Sequence, residues 1–244
     1  MKKFILTGHS RGLGAAIAAQ LLQAGHSVMG LSRKAHPTLK QRYPEKLIEH
    51  SIDLAQRDGM IQLLESPSLK DYLCDASVAV LINNAGILSP IGMNGSLSNT
   101  AIYDAVNVNV SAAIALSNQF IALTPQTLDR RIVQISSGAA RSPYAGWSIY
   151  CATKAALDHY TRCLAVEAPK GLKVVSLAPG VIDTDMQAQL RATSLSEFPM
   201  RPRFDQLKQD NALATPDSVA EKLLRFLDHP AFGQEPCTDL RQIP

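Results

Sequence analysis

Three residues past the middle of the chain have side chains suited to moving a proton: Ser137, Tyr150 and Lys154. Tyr150 and Lys154 are four residues apart in a stretch that reads as helix from Ser148 onward, which stacks phenol and ammonium on one face. A phenol ionises at about pH 10, and each unit by which that value drops is worth roughly 1.4 kcal/mol, so a tyrosine working near neutral pH needs help. Lys154 is placed to supply positive charge and lower the Tyr150 pKa. Ser137 follows a short, apolar, β-branched run, Ile132 to Ser136, that predicts a buried strand. It therefore falls at the carboxyl edge, where parallel sheets bind their ligands. With a hydroxyl at Ser137 to hold a carbonyl oxygen, the three make an acid/base centre for hydride transfer.

A Tyr-x-x-x-Lys pair alone occurs on many amphipathic helices, and its meaning depends on the elements around it. Phe4 to Thr7 reads as a strand running into Thr7-Gly8-His9-Ser10-Arg11-Gly12-Leu13-Gly14 and then an apolar helix that stops at Gly25. Gly8 suits a tight turn, Gly12 a close approach to a pyrophosphate, and Gly14 close helix packing. Main-chain amides through Ser10, Arg11 and Leu13 then face the phosphates. The spacing departs from G-x-G-x-x-G. A second strand, His26 to Leu31, ends in Ser32-Arg33-Lys34, with no acid to accept from a ribose 2′-OH. Arg33 with Arg11 would instead neutralise a 2′-phosphate, which selects NADP(H).

Leu47 to Ile52 predicts a third strand ending in Asp53-Leu54, with Asp53 placed to bond the adenine amino group. A helix over Met60 to Tyr72 leads to a strand, Val78 to Ile82, that opens into Asn83-Asn84-Ala85-Gly86, a wall of small residues and amide against the cofactor ribose. The helix Thr100 to Leu123 carries Asn109 in an apolar setting. This residue is either a satisfied core asparagine or part of a hydrogen-bonded path to Lys154. After the helix ending at about Glu167, the strand Val174 to Leu177 runs into Ala178-Pro179-Gly180-Val181-Ile182-Asp183-Thr184. The Pro179-Gly180 turn can bend over a nicotinamide, with main-chain groups near Ile182 reaching the carboxamide and Thr184 reaching phosphate. Asp185 to Asn211 reads as polar and irregular, with Met186, Leu190, Phe198, Met200 and Phe204 as apolar landmarks. It suits a mobile lid over the substrate, or else a plain surface helix pair. Asp217 to Leu227 is a final amphipathic helix, and Cys237 to Leu240 a further edge strand. Strand and helix alternate throughout, which predicts a single α/β domain over 1–244: one doubly wound parallel sheet flanked by helices.

Composition bounds the function. Apolar residues make up 46% and charged residues 18%, which excludes a disordered chain, and a net charge of +3 is too small and dispersed for a nucleic-acid partner. Four cysteines without metal-ligand spacing, scattered histidines and no cleavable leader point to a reduced, cytoplasmic protein without a metal site. No apolar run reaches the roughly 18 residues of a bilayer span, so no membrane partner is expected.

Taken in order, Thr7-Gly8-x-x-x-Gly12-x-Gly14, Asn83-Asn84-Ala85-Gly86, Asn109, Ser137, Tyr150-x-x-x-Lys154 and Pro179-Gly180 resemble the short-chain dehydrogenase/reductase family over nearly the whole chain. The resemblance implies a nicotinamide cofactor, a homodimer or homotetramer, and a tetrad of Asn109, Ser137, Tyr150 and Lys154 in which Asn109 relays protons through water and Lys154. Gly146-Trp147-Ser148-Ile149-Tyr150-Cys151 and Asp183-Thr184-Asp185-Met186-Gln187 resemble sepiapterin reductases and bacterial benzil reductases. This implies an NADPH-dependent reduction of a small-molecule ketone, a vicinal dicarbonyl or a pterin side chain, with Ser137, Tyr150, Trp147 and Asp239 on the substrate side. The tail from Arg241 to Pro244 departs from that pattern.

Overall fold

The apolar runs become the seven parallel strands of one sheet: β1 (Lys2–Thr7), β2 (Ser27–Ser32), β3 (Leu47–Ser51), β4 (Val78–Asn83), β5 (Asp129–Ile135), β6 (Leu172–Ala178) and β7 (Cys237–Asp239). Their order across the sheet is β3-β2-β1-β4-β5-β6-β7. The structure is a computed structural model and describes residues 2–243; Met1 and Pro244, the chain ends mentioned above, lie outside these. Helices connect the strands: α1 (Gly12–Gln23), α2 (Leu39–Arg42), α3 (Arg57–Glu65), α4 (Ser68–Leu73), α5 (Asn99–Val106), α6 (Ala112–Leu123), α7 (Ser148–Glu167), α8 (Asp185–Arg191), α9 (Arg201–Gln209) and α10 (Pro216–Leu227).

Both faces of the sheet are covered, so its strands are apolar on both sides. Side chains alternate along β1: Phe4 and Leu6 pack with Ile17 and Leu21 of α1 and Leu223 and Phe226 of α10, while Ile5 packs with Leu116 and Phe120 of α6 on the other face. The chain winds from β1 toward β3 and then starts again at β4 on the other side of β1. The carboxyl ends of β1 and β4 thus diverge at a topological switch point, the crevice in which open α/β sheets bind ligands.

Three expectations are corrected. The helix expected over Met60 to Tyr72 is two helices, because Pro67 drives Ser66 into extended backbone (φ −73°, ψ 157°) between α3 and α4. The segment 185–211 is not irregular: it forms α8 and α9, whose Leu190 and Phe204 are buried together with Phe198. The third concerns length. Asn99–Leu123 is one helical run of 25 residues containing an 18-residue stretch with mean hydropathy 1.3, long and apolar enough by composition to cross a membrane. Here one face of it packs on the sheet through Ala112, Leu116 and Phe120, and a π turn at Asn107–Ser111 interrupts it. Tyr103 and Val106 on the same run are exposed.

Candidate active site

The glycine loop is braced from the neighbouring strand. Thr7 Oγ1 accepts from the main-chain amides of Asn84 and Ala85, each at 2.9 Å. The Asn84 side chain donates back to the Thr7 carbonyl oxygen at 2.9 Å and to that of Gly8 at 3.4 Å. Asn84 therefore fastens β4 to the loop. A Cβ on Gly14 would overlap the Gly8 carbonyl oxygen and the Asn84 amide, so only glycine lets α1 begin this close to the turn. Gly12, at φ +55°, lies opposite Thr184: a Cβ there would meet the Thr184 methyl group at 3.5 Å. The side chains of Leu13 and Leu54 are core residues, which leaves only their main chain to a ligand. Ile182 packs at the edge of the same core and bridges to Ala214. Ser10 is half-buried.

At the far end of the crevice Arg33 is exposed. Arg11 does not join it; its guanidinium pairs with Asp185 of α8 at 3.3 Å, an exposed and weak ion pair. Asp53 uses one carboxylate oxygen to accept from the Ala55 amide at 3.0 Å.

The proton-moving residues meet where β5, α7 and the π turn converge. Ser137 leaves β5 in extended backbone, and its Oγ accepts from the Ala139 amide at 3.1 Å. It also hydrogen-bonds the Tyr150 phenol. Lys154, 3% exposed, donates to the Ile135 carbonyl oxygen at 2.8 Å. Gly86 lies beside both helices: a Cβ on it would touch Lys154 Nζ and Asn109 Oδ1, each at 3.4 Å. Both protons of the Asn109 amide are engaged, as is one lone pair of its oxygen. Its Oδ1 accepts from Ile87 N at 2.8 Å, and its Nδ2 donates to Ile87 O at 2.9 Å and to Thr153 Oγ1 at 3.2 Å.

One electrostatic expectation fails. Lys154 Nζ sits 5.7 Å from the centre of the Tyr150 ring, and burial of the phenol outweighs the Ser137 hydrogen bond. The Tyr150 pKa is pushed up to about 12 rather than lowered. Burial also brings Lys154 down to about 8, partly opposed by the Asp158 carboxylate.

Above Tyr150 stands an aromatic wall. Trp147 lies 5.1 Å from Tyr150, 4.8 Å from Phe198 and 5.6 Å from Phe204 between ring centres, with Tyr144 at 5.7 Å. Leu88 and Leu190 complete its buried part. The backbone at Glu197–Phe198 rests directly on Gly146, where a Cβ would overlap the Glu197 carbonyl oxygen. Pro179 is buried, and the Arg241 side chain lies across Gly180. β7 places Asp239 beside Ala178, next to that turn. Its carboxylate is not open, however. Oδ1 accepts from Arg241 N and Nε, each at 2.9 Å, and Oδ2 from the same guanidinium at 2.6 Å, which holds the Asp239 pKa below its usual range. A groove of about 520 Å³ between α1 and α10, lined by Phe4, Leu21, Val80 and Leu224, opens at the opposite edge of the sheet, away from these residues.

Asn84 to Gly86 lie against the glycine loop, Asn109 and Lys154 against Gly86, and Thr184 opposite Gly12, whereas Arg11 turns to Asp185 and Arg241 occupies Asp239. The bracing role of Thr7 was not expected; its signal was its position before Gly8, opposite the end of a second strand. Among the described residues no cluster of His, Cys, Asp and Glu has metal-binding geometry.

Residues 2–195 match the sequence model of the family described as short chain dehydrogenase. The chain is 36% identical over 243 residues to a benzil reductase ((S)-benzoin forming) of Bacillus cereus, covering 96% of this chain and 97% of that one. It is 35% identical over 258 residues to the sepiapterin reductase of Rattus norvegicus, covering 98% and 96%. A crystal structure of a short-chain dehydrogenase/reductase from Burkholderia vietnamiensis superposes with a TM-score of 0.73 at 37% identity, covering 100% and 98%.

Proposed function

The chain belongs to the short-chain dehydrogenase family of oxidoreductases, and on that premise we propose that it is an NADPH-dependent carbonyl reductase converting a vicinal dicarbonyl of the benzil kind to a chiral alcohol. The observation that carries this reading is the junction of Ser137 and Tyr150 at the carboxyl edge of the sheet, with Lys154 behind them and an aromatic wall in front.

A nicotinamide dinucleotide fits the crevice. The bare faces of Gly12 and Gly86 leave a cradle at the switch point, with Thr184 opposite the first and Lys154 behind the second. Ser10 to Gly14, Asp53, Leu54, Asn84 to Gly86, Pro179, Gly180, Ile182 and Thr184 would line it, and Arg33 would meet the 2′-phosphate. Bound there, the reduced nicotinamide supplies hydride to the carbonyl carbon. This chain's own residues do the rest. Ser137 and Tyr150 hold the carbonyl oxygen, and Tyr150 donates its proton as negative charge gathers there. A phenol held near 12 is protonated at neutral pH, the state a reductase needs. Lys154, with one donor on Ile135, has others for a ribose hydroxyl, and Asn109 would pass protons to it through water.

The aromatic wall supports an apolar, aryl-bearing substrate over a 3-oxoacyl thioester or a sugar. A pterin side-chain ketone is the second reading. Identity to sepiapterin reductase favours it, and the Arg241–Asp239 pair opposes it. Segment 185–211 would act as a lid that excludes water. The exposed Tyr103 and Val106 face supports a homodimer or homotetramer, and four free cysteines support a cytoplasmic setting. The test is NADPH oxidation with benzil, simple 1,2-diketones and sepiapterin, with chiral analysis of the alcohol. One benzoin enantiomer in excess is expected; no turnover of any dicarbonyl would overturn the proposal.

A further inference from the structure

The chemistry above makes no use of His9, the residue after the first loop glycine, although it is wholly buried. Its ring lies on the bare face of Gly30 in β2, where a Cβ would overlap it. Its Nε2 donates to Glu49 Oε1 of β3 at 2.7 Å, and its Nδ1 lies 3.2 Å from Ser32 Oγ. Ser32 Oγ also donates to the Lys34 carbonyl oxygen at 2.6 Å, so the ring is joined through Ser32 to the segment that carries Arg33.

The partners of this ring bracket Arg33. Ser32 precedes it and Lys34 follows it, while the Glu49 oxygen that receives His9 also accepts from the His36 amide at 2.7 Å. Ser51 Oγ holds the Arg33 carbonyl oxygen at 3.3 Å. The main chain at Arg33 is thus tied down on both sides while its guanidinium stays exposed. We propose that His9 and Glu49 are positioning residues, a latch between the glycine loop and the Arg33 segment that sets the preference for a 2′-phosphorylated dinucleotide. The inference rests on the reading that Arg33 receives that phosphate. A buried polar network whose members are hydrogen-bonded fixes geometry, and charge-assisted phosphate contacts depend on that geometry. Asn84 to Gly86 and Thr184, which would also line the dinucleotide, make no contact with Glu49, and the glycine loop is held independently by the Asn84 side chain on the Thr7 and Gly8 carbonyl oxygens.

Glu49→Gln keeps the shape but replaces the carboxylate with an amide, and Ser32→Ala removes the partner of Nδ1 and the tie to Lys34. Dissociation constants for NADPH and NADH would be measured by fluorescence titration of the full chain, with Arg33→Asp alongside. Each latch variant is expected to weaken NADPH roughly tenfold and NADH less than about twofold; should Glu49→Gln not fold, Ser32→Ala decides alone. Equal weakening of both cofactors, or an unchanged ratio while Arg33→Asp abolishes the preference, overturns the latch. An unchanged ratio in Arg33→Asp overturns the phosphate reading itself, and the latch with it.

Discussion

Lys154 Nζ donates to the main-chain oxygen of Ile135 at 2.8 Å, so the cation itself ties the helix bearing Tyr150 to the strand that leads to Ser137. A charge at the catalytic centre is also a structural bolt. Changes in its protonation therefore act on geometry and electrostatics together.

The first expectation concerns pH. With Lys154 near 8 and Tyr150 near 12, reduction should hold steady up to about pH 8 and fall above it as the lysine loses its proton while the phenol keeps its own. The stability term has the opposite sign. Because the folded value lies below the ordinary 10.5, the unfolded chain binds more protons between about 8 and 10.5, and the Lys154 contribution to stability rises with pH across that window. Rate and Tm profiles over this range, compared with Lys154→Met, check both. A rate still rising above about pH 9 would contradict the assignment.

Tyr150→Phe removes the proton donor but keeps the ring that packs 5.1 Å from Trp147. Turnover should drop about a hundred- to ten-thousandfold, with NADPH affinity nearly unchanged. Stopped-flow binding alongside steady-state kinetics separates the two. Parallel losses in both would count against a purely chemical role for the hydroxyl.

Arg33→Asp should weaken NADPH by about ten- to a hundredfold and NADH little, since a charge-assisted contact becomes a repulsion. Arg11→Ala should do much less, because that guanidinium is paired with Asp185. Competition between the two cofactors gives the answer directly. A larger effect from Arg11 would show that its ion pair opens on binding.

Arg241→Ala should free the Asp239 carboxylate, whose acceptors the guanidinium now occupies. Sepiapterin, rich in N–H donors, should gain in kcat/KM relative to benzil, which has none to offer. Unchanged relative rates would mean that Asp239 does not face the substrate.

The central strands were legible because a parallel sheet covered on both faces turns them into nearly continuous apolar runs, and Tyr150 and Lys154 were legible because helical spacing is local. What escaped notice depends on partners far apart in the chain: Thr7 with Asn84, Arg11 with Asp185, His9 with Glu49. No window of sequence joins them. The π turn at Asn107–Ser111 shifts hydrogen-bond register without changing composition, so Asn109 could be singled out but its bonds to Ile87 could not. The choice over 185–211 between an irregular lid and a helix pair stayed open because the buried residues Leu190, Phe198 and Phe204 are too widely spaced to show helical periodicity. The break at Pro67 was present in the sequence and was passed over.

The seat of segment 185–211 on Gly146 separates two properties of this protein. The contact is backbone on backbone, made possible by a missing methyl group, and it lies outside the group formed by Ser137, Tyr150 and Lys154. Adding atoms at Gly146 would push that segment, and with it Phe198 and Phe204, off Trp147, while Lys154 keeps its bond to Ile135. On the proposed reading of 185–211 as a lid, what the protein does to a carbonyl and how bulky a molecule it admits can change independently, so its clientele can drift while its reaction stays the same.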